Sequence, residues 1–128
     1  MKKNNKKVPK VVASLVVIVT ICLSYPGIMY YNFKNAERST DVNNIDANPQ
    51  RLTIIYRKGC SRCKKILPKL ILGKGFSYKK YQVINAKNLS PDQLEKYDVE
   101  ITPTFRLNGE SYNTTNMKII DKLWKISK

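Results

Sequence analysis

The sequence predicts an α/β domain with a mixed sheet, preceded by one apolar helix near the N-terminus. Two observations carry this prediction. The first is an uncharged stretch of 23 residues, residues 11–33. The second is that strand-like and helix-like segments alternate from residue 51 on, in the order β-α-β-α-β-β-α. A strand, a helix and a strand in succession give a parallel pair, and a later hairpin adds an antiparallel edge.

The apolar stretch at residues 11–33 is long enough to cross a membrane as a helix, which needs roughly 20 such residues. Five lysines fall within residues 1–10, whereas residues 34–50 carry only Lys34 and Arg38. The positive-inside rule therefore places residues 1–10 in the cytoplasm and the rest of the chain outside a cell membrane that it crosses once. The alternative is a signal sequence, with secretion after cleavage. We favour the anchor, because no A-x-A-like cleavage site follows the apolar core.

The segment after the apolar stretch, residues 34–50, is polar, rich in Asn and Asp, and ends in Asn-Pro. This composition predicts a tether that holds the domain away from the membrane. The folded domain is expected over residues 51–128, a length that suffices for a small two-layer fold. Cys22 lies inside the apolar stretch, and we interpret it as an apolar side chain of the anchor rather than as a third redox thiol.

The strands of the domain have β-branched and apolar sequences. Residues 51–57 predict a buried strand between Asn-Pro and Lys-Gly, and residues 79–86 predict a second strand. Asn108-Gly109 is a strong signal for the two-residue turn of a β-hairpin. The two hairpin strands complete the predicted sheet.

Three segments have the signals of helices. Residues 60–72 place apolar side chains at helical spacing, with Pro68 expected to kink the helix. Residues 90–97 begin with Ser-Pro-x-Gln, which is a capping signature. Residues 115–127 have an apolar face and predict the last helix.

The formal net charge is +15, from 24 Lys and Arg against nine Asp and Glu. Such a balance suggests anionic partners, such as nucleic acid, acidic lipid headgroups or cell-wall polyanions. The sequence has no basic helix interleaved with aromatic residues and no nucleic-acid motif. We therefore interpret the charge as a solvated lysine-rich surface and predict no specific nucleic-acid partner.

Cys60 and Cys63 form a C-x-x-C motif among basic residues, in the segment RKGCSRCKK. Zinc would need four ligands, and the sequence has no histidine and no second cysteine pair. We therefore predict no metal site. A disulfide that closes so short a loop adds little stability. The remaining interpretation is a reversible dithiol that needs no cofactor beyond its own redox-active disulfide.

Cys60 falls at the predicted N-terminus of a helix, directly after Gly59. Backbone N–H groups and the helix dipole stabilise a thiolate at this position, and Arg62 adds positive charge nearby. We therefore predict that Cys60 is the nucleophile and has a lowered pKa. Cys63, one turn further along, would be the more buried thiol that resolves the mixed disulfide.

Two segments resemble the thioredoxin family. CSRCKKILP, residues 60–68, is similar to its C-x-x-C helix, with proline eight residues after the first cysteine. KYDVEITPTFRLNGE, residues 96–110, is similar to its second signature, with an x-Pro-Thr before a strand and an Asn-Gly turn. The resemblance covers residues 51–128 and implies a thioredoxin-like fold and thiol-disulfide oxidoreductase activity. It also implies that Pro103 is a cis-proline facing the dithiol, and that Thr102 offers a backbone edge for an extended substrate.

The sequence also departs from the family pattern. Gly59 stands where family members usually have tryptophan, and Ser61-Arg62 stands in place of the Gly-Pro of reducing thioredoxins. Ile54 occupies the position of a buried aspartate. A cationic dipeptide stabilises the thiolate, hence the reduced form, and so makes the disulfide more oxidising. The residues expected to bind substrate or tune the dithiol are Thr102, Pro103, Arg62, Gly59 and Ser61.

Together these features predict an extracytoplasmic, membrane-anchored thiol-disulfide oxidoreductase, similar to small anchored thioredoxin-like proteins of Gram-positive bacteria. An oxidase or isomerase is favoured over a reductase. Its partners would be cysteine-containing proteins outside the membrane and a further redox protein. The alternative is a non-catalytic thioredoxin-fold adaptor of a secretion, bacteriocin-export or conjugation apparatus.

Overall fold

The structure, a computed structural model, describes residues 9–74, 77 and 79–128. Most of the basic segment predicted to be cytoplasmic, residues 1–8, therefore lies outside the described residues. Four strands form one sheet in the order β2-β1-β3-β4. They are β1 (Leu52–Tyr56), β2 (Tyr81–Asn85), β3 (Thr104–Leu107) and β4 (Glu110–Asn113). β1 pairs with β2 in parallel, whereas β3 is antiparallel to both β1 and β4, so the predicted mixed sheet is confirmed.

Four α-helices accompany the sheet: α1 (Lys10–Ser39), α2 (Ser61–Gly73), α3 (Pro91–Lys96) and α4 (Met117–Ile126). α3 begins with a complete capping box, because Ser90 accepts from the backbone N–H of Gln93 and the Gln93 side chain accepts from that of Ser90. α4 begins at Met117, later than the sequence suggests, because the Asn116 side chain caps it.

The helices cover both faces of the sheet. All five residues of β1 are buried, as expected for a strand with helices on either side. One core cluster lies under α1, α2 and α4, and its largest members include Phe33, Ile54, Leu70, Phe105, Ile120 and Trp124. The other lies under α3 and includes Ile45, Ile55, Ile84, Leu89 and Tyr97. Asn108 and Gly109 have φ values of 53° and 87°, which is the conformation that the predicted hairpin turn requires.

The segment expected to be a tether, residues 34–50, is packed against the domain instead. α1 continues to Ser39, and Ile45 is buried in the core cluster under α3. The Thr40 hydroxyl accepts a hydrogen bond of 3.2 Å from the backbone N–H of Val83. This contact satisfies a donor on the outer side of β2, an edge strand. A polar composition does not reveal such contacts, because they depend on partners far away in the sequence.

The C-terminal half of α1 belongs to the same packed unit. Phe33 is only 3% exposed, and its ring lies 5.6 Å from that of Tyr56, measured between centroids. The hydroxyl of Tyr25 donates to the carbonyl oxygen of Leu72, at the end of α2, at 2.7 Å. The packed unit therefore begins well before residue 51.

The N-terminal half of α1 lies in a different environment from the C-terminal half. Residues 11–24 are exposed throughout, although they are almost entirely apolar. Within the described part of the chain, α1 is the one helix long and apolar enough to cross a membrane, with a mean hydropathy of 2.3 over its most apolar window. By length and composition it could serve as an anchor or as a signal sequence.

Candidate active site

The connection between β1 and α2 places both cysteines at one end of the sheet. Gly59 has a φ of 90°, a left-handed conformation that glycine adopts without steric cost. Cys60 then returns to extended backbone geometry and is the N-cap residue of α2. Its sulfur accepts a hydrogen bond of 3.4 Å from the backbone N–H of Cys63. The structure thus places Cys60 at a helix N-terminus, as the sequence predicts.

The two thiols differ in exposure. Cys63 is 2% exposed and belongs to the core cluster under α1, α2 and α4, whereas Cys60 is half-buried at the surface of the domain. Both are free thiols in the structure. Cys60 is therefore accessible from solvent, whereas Cys63 is enclosed by the domain.

The segment before β3 faces this dithiol. The thiol of Cys60 donates to the carbonyl oxygen of Thr102 at 3.4 Å, and the Thr102–Pro103 peptide bond is cis. Pro103 is buried, whereas Thr102 is half-buried. The fold therefore brings together two segments that are 42 residues apart in the sequence.

The surroundings of the two sulfurs drive their pKa values apart. Burial by itself raises the pKa of Cys60, but hydrogen bonds from the Thr102 side chain and from Cys63 and the backbone of Arg62 outweigh it. They lower that pKa from 9.0 to about 7. Burial raises the pKa of Cys63 above its ordinary value. The Cys60 thiol therefore ionises more readily than that of Cys63.

The remaining predicted site residues surround Cys60. Ser61 is exposed in the first turn of α2, and Arg62 is half-buried beside it. Hydrogen bonds to the sulfur are the main causes of the lowered pKa, so Arg62 acts on the thiolate through its backbone N–H. This agrees with the expected contribution of backbone N–H groups at the helix N-terminus, and the added effect of the Arg62 charge stays a prediction.

A polar cluster that the sequence does not indicate lies at the end of β1. The hydroxyl of Tyr56 donates to a carboxylate oxygen of Glu37 at 2.7 Å. Lys34 donates to Tyr56 at 3.1 Å and to Glu37 at 2.6 Å. Lys34, Tyr56 and Cys63 line one groove between α1 and α2. The only sequence signal for this cluster is the three-residue spacing of Lys34 and Glu37, which would suit an ion pair if the segment were helical. Nothing in the sequence indicates that Tyr56 is their partner.

The chemistry that this site can perform is thiol chemistry. A half-exposed thiolate next to a buried thiol is the arrangement needed to form and then resolve a mixed disulfide. Among the residues that the structure describes, no three His, Cys, Asp or Glu side chains are grouped so as to hold a metal ion.

No family model matches the sequence, and no curated protein matches it either. Solved structures do match. Thioredoxin f2 from Chlamydomonas reinhardtii superposes with a TM-score of 0.50 at 17% identity, over 67% of this chain and 89% of that one. The fold is thioredoxin-like.

Two further matches are thioredoxins. The Fasciola hepatica protein has a TM-score of 0.47 and covers 66% of this chain, and oxidised thioredoxin from Plasmodium falciparum has a TM-score of 0.48 and covers 68%. Both are 21% identical to this chain, which covers 89% of each. At these identities the likeness is one of fold. The C-x-x-C motif occupies the start of α2 within this thioredoxin-like fold.

Proposed function

We propose that the protein is a membrane-anchored thiol-disulfide oxidoreductase that acts on cysteines of proteins outside the cytoplasmic membrane. One observation carries the proposal, namely the asymmetry of the two thiols. Cys60 is half-buried and has a pKa of about 7, whereas Cys63 is buried and its pKa is raised. A nucleophilic and a resolving thiol need this difference.

The reaction is a two-electron exchange. The Cys60 thiolate attacks one sulfur of a substrate disulfide, and the other substrate sulfur leaves as a thiolate and takes up a proton. The Cys63 thiol then loses its proton and attacks the Cys60 sulfur. The substrate leaves as a dithiol, and the protein retains the Cys60–Cys63 disulfide. In the opposite direction the protein disulfide oxidises a substrate dithiol by the same steps.

Net oxidation or isomerisation of substrates is favoured over reduction. Hydrogen bonds stabilise the Cys60 thiolate, hence the reduced protein, which makes the disulfide a better oxidant. Ile54, buried in the core cluster under α2, provides no carboxylate at the position where the resemblance would place an acid. An extracytoplasmic location, which the five lysines within residues 1–10 favour, is also oxidising. A separate redox protein would then reoxidise the dithiol.

Trapping of mixed disulfides tests the proposal. In the full-length protein, Cys63→Ser should accumulate adducts with partner proteins through Cys60, and a thiol reductant should release them. The double variant Cys60→Ser/Cys63→Ser is the matched control and should trap nothing. If Cys63→Ser traps no partner either, the thiol function is wrong, and an adaptor role becomes the better explanation.

The reduction potential decides the direction of the exchange. Cytosolic thioredoxin has a potential of about −270 mV, and strong oxidants of this type lie near −120 mV. We expect a value clearly less negative than that of thioredoxin, measured by equilibration with glutathione. A value near −270 mV would instead make the protein a reductase.

A further inference from the structure

A groove runs between α1 and α2, on the side of the dithiol where Cys63 lies. One wall is a single face of α1, formed by Pro26, Tyr30 and Lys34, and the other includes Cys63, Leu67 and Ile71 of α2. Its volume is about 520 Å³, which is within the range of sites that hold small molecules. Gly59 is among its lining residues, whereas Cys60 and Thr102 are not among the described ones. The groove therefore adjoins the dithiol on the Cys63 side and does not include the contact between Cys60 and Thr102.

The polarity of the groove changes along its length. Tyr25 contacts Leu72 at the C-terminal end of α2, whereas Lys34 contacts Tyr56 at the end of β1. The two helices are therefore antiparallel. The end of the groove near Leu72 is apolar, and the end near Lys34 is lined by cations. The two ends are about 12 Å apart, since residues 26 and 34 are eight helical residues apart.

The length of the apolar stretch places the apolar end at the level of the membrane lipids. A spanning helix needs roughly 20 apolar residues. Only 14 uncharged residues, residues 11–24, precede the first contact of α1 with the domain at Tyr25. Residues 25–30 must therefore also lie at membrane level, and Pro26 and Tyr30 are part of the groove wall. The cationic end then lies at the level of the lipid headgroups.

The cations at the outer end are available for an anionic ligand. Arg57, Lys58 and Lys64 line the groove and are exposed. Among the described residues, none of these three takes part in an ion pair. Lys34, in contrast, forms a salt bridge with the carboxylate of Glu37 at the cationic end of the groove. A phosphate group therefore has three cationic side chains that it can approach.

We propose that the groove binds an anionic phospholipid from the outer leaflet of the membrane that α1 crosses. Its acyl chain lies against Tyr30 and Ile71, and its phosphate lies among Arg57, Lys58 and Lys64. With the lipid aligned along the spanning helix, its acyl chain meets the apolar end of the groove and its phosphate meets the cationic end. The proposal rests on the anchor that forms part of the proposed function. A lipid in this groove covers the Cys63 side of the dithiol and leaves Cys60 open to protein substrates.

Photo-crosslinking of the full-length protein in lipid nanodiscs tests this site. The nanodiscs contain phosphatidylcholine with a fraction of phosphatidylglycerol, and trace probes of either headgroup carry a photoactivatable acyl chain. We expect the phosphatidylglycerol probe to label residues 26–34 and 64–72 in addition to residues 11–24. Labelling of residues 64–72 by the phosphatidylcholine probe should be several-fold weaker.

A triple variant and a matched control identify the contribution of the cations. Arg57→Gln/Lys58→Gln/Lys64→Gln should reduce labelling of residues 64–72 by the phosphatidylglycerol probe several-fold. Lys118→Gln/Lys122→Gln/Lys125→Gln removes the same charge from exposed positions of α4 and should leave the labelling unchanged. An equal decrease in both variants would mean that net charge alone attracts the lipid, which overturns a specific site.

The other outcomes separate this inference from the proposed function. Labelling confined to residues 11–24, or equal labelling by the two probes, overturns the lipid site but leaves the anchor intact. Release of the protein from membranes by alkaline carbonate overturns both the anchor and the lipid site. The thiol exchange is tested independently in the same nanodiscs, by trapping partners through Cys60.

Discussion

The two ends of α2 are held by different forces. At its N-terminus, Cys60 is held by hydrogen bonds with Cys63 and Thr102, and the neighbouring loop residues are exposed. At its C-terminus, Leu70 is 1% exposed in the core and Tyr25 of α1 bonds to Leu72. One end therefore determines reactivity, and the other determines how firmly the helix is fixed to the rest of the molecule. Changes at the two ends should have separable effects.

The largest expected effect is on stability, at the C-terminal end. Leu70→Ala removes a fully buried side chain and should lower the free energy of unfolding by about 2–5 kcal/mol. The reactivity of Cys60 in the remaining folded protein should not change. Chemical unfolding in detergent micelles can be followed by the fluorescence of Trp124, the single tryptophan, which lies in the same core cluster. Leu72→Ala is the control, because Leu72 is 41% exposed, and an equally large loss there would contradict the comparison.

The second effect is on reactivity, at the N-terminal end. In a Cys22→Ser background, Cys60→Ser should slow alkylation by iodoacetamide at pH 7 by about 100-fold, because only the buried thiol remains. Cys63→Ser should keep most of the reactivity. Mass spectrometry of the modified peptides gives both rates. Similar rates in the two variants would show that the thiols are equivalent, contrary to their different burial.

The third effect is the pH dependence of that reactivity. The pKa of Cys60 is lowered to about 7, so the reactive thiolate is present above this pH and is lost as the pH falls through it. The alkylation rate should level off above about pH 8 and fall roughly tenfold per unit below about pH 6. Leu72→Ala should leave this profile unchanged. A midpoint near 9.0, the ordinary value for cysteine, would show that the hydrogen bonds at the N-terminal end do not stabilise the thiolate.

The smallest effect concerns the hydrogen bond between α1 and the end of α2. Tyr25→Phe removes the donor to the Leu72 carbonyl and should cost about 0.5–1.5 kcal/mol of stability. Hydrogen exchange of the last turn of α2 should increase accordingly. Tyr31→Phe, at a position that is 65% exposed on the same helix, should have no measurable effect. If both variants accelerate exchange equally, the bond does not fix the helix end.

Local signals were the ones that could be read from the sequence. The capping box of Ser90 and Gln93, the turn at Asn108-Gly109 and the helix start at Cys60 all depend on residues within three positions of one another. Each of these features therefore leaves a short pattern in the sequence. The mixed sheet follows once the elements are in order.

The packing of α1 on the domain could not be predicted from short sequence patterns. Phe33 is the last residue of an apolar run, and an apolar residue looks the same whether it faces lipid or a protein core. Its partner Tyr56 lies 23 positions away, and Tyr25 bonds to a residue 47 positions away. The residues after Phe33 are polar, so their composition matched a tether although Thr40 and Ile45 contact the domain.

The unbroken course of α1 also limits where the dithiol can travel. A flexible tether of the expected 17 residues, residues 34–50, would have a root-mean-square end-to-end distance of roughly 20–25 Å and would let the domain move over that range. A helix that is continuous from Lys10 to Ser39 and packed on the domain allows no such search. In the anchored protein the dithiol therefore moves in a thin layer parallel to the bilayer. Under the proposed function, only cysteines presented at that distance from the bilayer would reach the dithiol, so the anchor itself would restrict which substrates can react.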